Sequence, residues 1–229
     1  MPPILAVLLD IEGTTTPIDF VYKTLFPYVR DRVHEFLDAG GSDPEVQNVV
    51  GLLEREKAEE GKASLSTADY VLWLMDQDRK STGLKALQGR IWFEGSRNGQ
   101  LRGEVFPDVP SALARWLRAA IDIRIFSSGS ILAQQLLFQS TRFGDLTRSL
   151  RGYFDTTTGS KADPSSYKRI SRAMNVPAAS ILFVSDTLTE LDAAHQAGMQ
   201  TALCIRPGNR PVSPGHAHRT VSNLTQVLP

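Results

Sequence analysis

Short apolar runs that stop abruptly at polar or glycine residues constrain this chain more than any other feature. Residues 4–9 end at Asp10, residues 121–126 at Ser127-Ser128-Gly129, residues 181–184 at Ser185-Asp186, and residues 201–205 at Arg206-Pro207-Gly208. The unbroken run of residues 4–9 suits a strand buried on both faces, and the other three, with Asp122 and Arg124 interrupting residues 121–126, read as short strands of the same kind. Between them, residues 110–120, 131–138, 165–174 and 190–197 carry apolar side chains at three- and four-residue spacing, which predicts helices. Asp163-Pro164 adds an N-cap candidate followed by proline at the first helical position. Strands alternating with helices imply an α/β fold with a parallel sheet covered on both sides. In such sheets ligands gather beyond the carboxyl ends of the strands, where the polar stops converge.

Residues 20–105 break that alternation. Segments 28–37, 44–57 and 66–78 read as helices with no buried strand between them. Thr16-Pro17 on entry and Phe106-Pro107-Asp108-Val109-Pro110 on exit suit domain crossings. The expectation is a core made of residues 1–18 and 107–229, with residues 19–106 as an all-helical insertion. Residues 207–218 are expected to form a loop, and a last short strand is expected near Thr220. A chain of 229 residues, 41% of them hydrophobic, can fill one α/β core and a smaller companion domain.

Charge and cysteine content exclude several roles. Lys plus Arg number 25 and Asp plus Glu number 25, so no net positive field draws in nucleic acid or an anionic membrane. No apolar stretch is long enough to cross a bilayer. The single cysteine, Cys204, lies inside an apolar run and cannot form an intrachain disulfide. With no basic leader before residues 4–9, a reducing cytoplasmic setting is expected. His216 and His218 have no third ligand nearby in sequence and read as a surface loop rather than a metal site.

The candidate chemistry sits at the strand ends. Asp10 and Glu12 are two residues apart, so in extended geometry both carboxylates face one side. Their tasks could be nucleophilic attack by Asp10 and proton transfer by Glu12, although that spacing alone favours a strand-end turn in which Asp10 caps Gly13 or a threonine. Asp186 ends a second buried strand at the equivalent place and offers another hard oxygen ligand for a divalent cation; singly, it would be a cap or turn former. Glu190 follows, either orienting a ligand or placing charge at a helix N-terminus. Ser127, Ser128 and Gly129 join a strand to a helix start, where hydroxyls and backbone N–H groups can cradle an anion. Lys161 stands in a further loop, a counter-charge for phosphoryl oxygens or a solvated lysine.

Taken in order, Asp10-Ile11-Glu12-Gly13-Thr14, Ser127-Ser128-Gly129, Lys161 and Asp186 resemble the four motifs of the haloacid dehalogenase superfamily. Glu at the second position after the nucleophile, together with Leu84-Lys85-Ala86-Leu87-Gln88-Gly89-Arg90-Ile91-Trp92, Asn98-Gly99-Gln100-Leu101 and Arg206-Pro207-Gly208-Asn209, is similar to the enolase-phosphatases of methionine salvage. Ser96 departs from the aromatic residue expected in that cap segment. The resemblance implies a Rossmann-like core with an inserted helical cap. It implies Asp10 as nucleophile and magnesium ligand, Glu12 as a magnesium ligand through its backbone carbonyl, and Asp186 as the remaining protein ligand. Ser127, Ser128, Gly129 and Lys161 would bind the substrate phosphate, with Lys161 also assisting catalysis. The implied partner is a small phosphorylated diketone, 2,3-diketo-5-methylthiopentyl-1-phosphate; separately, a monomer is expected. A generic small-metabolite phosphatase and a non-catalytic phosphate-binding module are the alternatives.

Overall fold

The computed structural model describes residues 2–41, 43–79, 81–213 and 215–228. The chain separates into two compact units, one of Met1–Val21 with Arg102–Pro229 and one of Tyr22–Leu101.

The first unit is built on a six-stranded parallel sheet: β1 Ala6–Leu9, β2 Asp122–Phe126, β3 Gly152–Phe154, β4 Ile181–Ser185, β5 Gln200–Cys204 and β6 Arg219–Val221, in the order β3-β2-β1-β4-β5-β6. Every residue of β1 and β4 is buried, which accounts for their apolar sequence up to Ser185 at the end of β4. Ala6 and Leu8 share a cluster with Phe183, Tyr167 of the helix Pro164–Met174, and Leu191 and Ala194 of the helix Leu188–Gln196. Val7 and Leu9 point to the opposite face and are equally buried. The helix Val109–Arg118 packs against β2 and buries Val109, Ala112, Leu113 and Trp116 at helical spacing. Asp163 caps the helix Pro164–Met174, as its place before Pro164 predicts.

From β1 the chain builds outward through β2 and β3, then returns to the other side of β1 for β4 to β6. The direction of build-out therefore reverses between β1 and β4, and a crevice opens at the carboxyl ends of those two strands. Leu9 pairs with Val184 there, and the Asp10 amide donates to the Val184 carbonyl at 3.0 Å. β3 went unread in the sequence because a three-residue edge strand is too short to show a period.

The second unit consists of the helices Phe26–Arg30, Val33–Ala39, Pro44–Glu59, Thr67–Asp76 and Thr82–Arg97, and no strand occurs among its described residues. Val33, Leu53, Val71, Leu74, Leu87 and Ile91 lie at the centre of its core. Asp43, Ser66 and Ser81 cap three of the helices by accepting from the backbone amides of Glu45, Asp69 and Leu84. Two sequence expectations change here. Segment 28–37 is two helices, broken at Asp31-Arg32, and Thr82–Arg97 is a sixteen-residue helix that periodicity did not reveal. Gly83, Gly89 and Gly95 weaken its helical signal. Gly95 is there for contact: a Cβ would stand 2.4 Å from the Tyr28 hydroxyl.

No helix among the described residues is long and apolar enough to cross a membrane. Cys204 is fully buried and unpaired, and burial first of all pushes its thiol up to about 11. His218 is fixed by Thr201 Oγ1 at 2.8 Å and Asp192 Oδ1 at 3.0 Å, and its ring stacks on that of His216.

Candidate active site

Asp10 begins a tight turn at the end of β1. The amides of Thr14, Thr15 and Thr16 all donate to the Ile11 carbonyl, at 3.1, 3.0 and 2.9 Å, and the Gly13 amide donates to Thr16 at 2.8 Å. Gly13 takes a φ of +72°, and a Cβ there would sit 2.3 Å from Asp186 Oδ2, so both conformation and space require glycine. The side chains of Thr14 and Thr15 turn back on Asp10: Thr15 Oγ1 donates to its carbonyl at 3.1 Å and Thr14 Oγ1 to Oδ2 at 3.4 Å.

Asp10 is 3% exposed and Lys161 8% exposed. Lys161 Nζ donates to Asp10 Oδ1 and also pairs with Glu190 Oε2 at 2.7 Å. Its backbone is held by the buried Tyr167, whose hydroxyl donates to the Lys161 carbonyl at 2.7 Å. Glu190 Oε2 accepts a further hydrogen bond from Ser185 Oγ at 2.9 Å. Glu190 stands in the first turn of the helix Leu188–Gln196, where its charge suits the helix N-terminus, and it pairs at the same time with Lys161.

Ser127 follows β2 and is almost fully buried. Its hydroxyl lies 3.5 Å from Glu12 Oε2 and accepts from the Gly129 amide at 3.1 Å. That amide therefore orients the serine hydroxyl and is not a free donor. Ser128 and the Glu12 side chain are half-buried. Asp186 follows β4, where its Oδ1 accepts from Thr187 Oγ1 at 2.9 Å. The structure thus brings Asp10, Glu12, Ser127, Lys161 and Asp186 to one end of one sheet, although they are spread over most of the sequence.

Four carboxylates crowd a single ammonium. Burial and then the charge of Asp10 push Asp186 up to about 6 and Glu190 up to about 7. The same two causes, in the same order, raise Glu12 above its ordinary value, with Lys161 pulling the other way. Burial alone would lower the Lys161 ammonium, but Asp10, Glu190 and Glu12 outweigh it and hold the group protonated. Negative charge in excess of the one ammonium, carried on hard oxygens, fits a divalent cation.

The backbone supports the same fit. The carbonyls of Asp10, Ile11, Gly13, Thr14 and Thr15 each accept a protein hydrogen bond, whereas that of Glu12 accepts none among the described residues. Two carboxylates and one carbonyl form a sparse set, and no group of three or more His, Cys, Asp or Glu side chains among the described residues could hold a metal on side chains alone. Magnesium suits a sparse set because it keeps several waters and takes further oxygens from a phosphate.

Three supporting residues carried no functional signal in the sequence reading. Arg206, 5% exposed, donates through Nε to the Thr14 carbonyl at 3.1 Å and forks onto Asp108 at 2.8 and 2.9 Å. Asn209 Nδ2 donates to the Gly13 carbonyl at 3.0 Å. Buried Gln134 Nε2 donates to the carbonyls of Gly129 and Phe154 at 2.8 and 2.9 Å. In the sequence Arg206 and Asn209 stand out only as part of a family-like segment, and Asp108 only as part of a boundary.

The family model of the haloacid dehalogenase-like hydrolases matches residues 4–198. This chain belongs to that family. It is 51% identical over 221 residues to the Enolase-phosphatase E1 of Synechococcus elongatus, covering 93% of each chain. The Enolase-phosphatase E1 of Pseudomonas aeruginosa is 42% identical over 224 residues, with 97% of each chain covered. Among solved structures, the UTR4 protein of Saccharomyces cerevisiae is similar with a TM-score of 0.82 and 35% identity, covering 96% of this chain and 98% of that one. As a haloacid dehalogenase-like hydrolase, the chain places the carboxylate cluster of β1 and β4 inside the region the family model spans.

Proposed function

We propose that this protein is a magnesium-dependent enolase-phosphatase of methionine salvage in which Asp10 is the nucleophile. It converts 2,3-diketo-5-methylthiopentyl-1-phosphate, through its enol phosphate, to the acireductone 1,2-dihydroxy-3-keto-5-methylthiopentene and phosphate. The observation that carries this reading is the buried Asp10 carboxylate, held against Lys161 Nζ beside Asp186 at the sheet's switch point. Likeness to enolase-phosphatases over nearly the whole chain supports the choice of substrate.

An Asp10 oxygen attacks phosphorus in line, the ester P–O bond breaks, and an aspartyl-phosphate forms that water then hydrolyses. Lys161 neutralises phosphoryl charge and, through its second contact with Glu190, stays pointed at Asp10. Ser127 and Ser128 receive the phosphate, and Gly129 fixes the Ser127 hydroxyl for that purpose. Glu12 carries the proton to the leaving oxygen, a task suited to a carboxyl held above its ordinary value by burial and by Asp10. Asp10, Asp186 and the Glu12 carbonyl would hold magnesium, which when bound would supply positive charge for the phosphoryl group and Lewis acidity toward the substrate carbonyl.

All of these residues come from one of the two units, and action as a monomer is part of the proposal. The unpaired, buried Cys204 accords with a reducing cytoplasm. The test is an assay with the diketone phosphate that scores the ultraviolet band of the enediol and the released phosphate together. Both signals should appear and depend on magnesium. Phosphate release from simple esters at equal efficiency, with no enediol from the diketone, would replace this reading with a generic phosphatase.

A further inference from the structure

The turn Arg206-Pro207-Gly208-Asn209 after β5 grips two successive carbonyls of the nucleophile turn. Arg206 Nε takes that of Thr14 and Asn209 Nδ2 that of Gly13, and the Asn209 amide closes the turn onto the Arg206 carbonyl at 3.1 Å. Asn209 Nδ2 also donates to the Cys204 carbonyl at 3.1 Å. Both partners of Nδ2 are acceptors, so the amide has one permitted orientation, nitrogen toward the carbonyls and oxygen away from them. Its Oδ1 is buried and no donor of the protein reaches it among the described residues.

A buried amide oxygen without a donor is costly and calls for a partner. Its surroundings indicate which one. The point where a Gly13 Cβ would stand is 3.0 Å from Asn209 Oδ1 and 2.3 Å from Asp186 Oδ2. Two acceptor oxygens therefore converge over the bare α-carbon of Gly13. One belongs to a proposed magnesium ligand, on the carboxylate oxygen that Thr187 does not occupy. A hydrated divalent cation satisfies both, its charge meeting the Asp186 carboxylate and one of its waters donating to the Asn209 amide oxygen.

We propose that Asn209 is a positioning residue whose side-chain carbonyl accepts a hydrogen bond from a water in the coordination shell of the bound magnesium. Partners of this kind fix the orientation of the shell, and their loss typically lowers metal affinity about 10–100-fold. The proposal rests on the reading that magnesium is held by Asp10 and Asp186.

The two can be separated by titrating magnesium chloride calorimetrically into substrate-free protein. Asn209→Ala, which removes both the grip and the acceptor, should weaken binding about tenfold or more. Asn209→Asp loses the grip on Gly13 and Cys204 but keeps an oxygen at the acceptor position, and it should bind at least as tightly as wild type. Equal weakening in both variants would reduce Asn209 to a support for the backbone and overturn the proposal, as would no change in either. A wild-type protein that binds no magnesium overturns the metal reading together with this one. If either variant fails to fold, a crystal structure of the wild type with magnesium decides: a metal-bound water within hydrogen-bond distance of Asn209 Oδ1 upholds the role, and its absence sinks it.

Discussion

The two units handle charge in opposite ways. In the sheet unit, Asp10, Lys161 and Arg206 are each less than a tenth exposed, and their partners come from distant parts of the chain. In the helical unit the ion pairs Arg30–Asp76, Arg79–Glu60 and Arg90–Glu45 lie toward solvent, where such pairs contribute about 0–1 kcal/mol. Its one charged side chain among the described buried residues, Lys57, is satisfied locally by Glu54 Oε1 at 2.8 Å and the Leu65 carbonyl at 3.0 Å. Stability in the helical unit thus rests on apolar packing, whereas the sheet unit spends part of its packed volume on charges that repel one another. That arrangement costs stability and is kept where chemistry needs it.

The largest expected effect breaks the comparison on the chemical side. Asp10→Asn keeps the shape of the side chain and a contact to Lys161 while removing the nucleophile, so phosphate release should fall by roughly 10⁴-fold or more. Circular dichroism should remain that of the wild type. Turnover within tenfold of the wild type would remove Asp10 from its proposed role.

The helical unit should respond in the reverse sense. Leu53 is fully buried at its centre. Leu53→Ala should destabilise that unit by about 2–5 kcal/mol, read as a lower urea midpoint. Magnesium affinity measured well below the unfolding transition should stay within about twofold, because every proposed ligand belongs to the other unit. A matching loss of metal affinity would show that charge and packing are not divided between the units in this way.

The same contrast explains how much could be read in advance. β1 and β4 were legible because strands buried on both faces need apolar side chains on both, and β2 and β5 because each ends in an apolar stretch that stops at polar or glycine residues. Asp10, Ser127 and Asp186 were legible because each stands where such a run stops. The helix Thr82–Arg97 was hidden because its glycines serve contact with neighbours such as Tyr28, and local propensity does not record that. The pairs Lys161–Asp10 and Arg206–Asp108 bridge 151 and 98 residues of chain, so only the closed sheet brings them together. Asp108 is instructive. Its place before Val109-Pro110 suits a helix cap, yet it makes no side-chain capping bond, and its carboxylate goes to Arg206 and to the Leu224 amide at 2.6 Å.

The smallest expected effect tests whether the crowded carboxylates cost stability at all. Asp186 stands at about 6 in the folded protein against an ordinary 3.8, raised by burial and then by Asp10. Between those two values the folded state holds more protons than the unfolded one, so stability must fall as pH rises through the window. Glu190, at about 7 against 4.5, extends the same fall upward. The metal-free protein should therefore lose thermal stability between about pH 4 and pH 7 through these groups, and magnesium should restore it above pH 7 by binding only the ionised folded form. Asp186→Asn removes one contributor while keeping the Oδ1 that Thr187 reaches. Without metal, its melting temperature at pH 7.5 should exceed that of the wild type by a few degrees, and the two should converge near pH 4. Magnesium should then raise the wild type and leave the variant almost unmoved. An Asp186→Asn protein that melts below metal-free wild type at pH 7.5 would mean that this carboxylate stabilises the sheet unit in its own right, and the opposition between a strained site and a relaxed bundle would no longer hold.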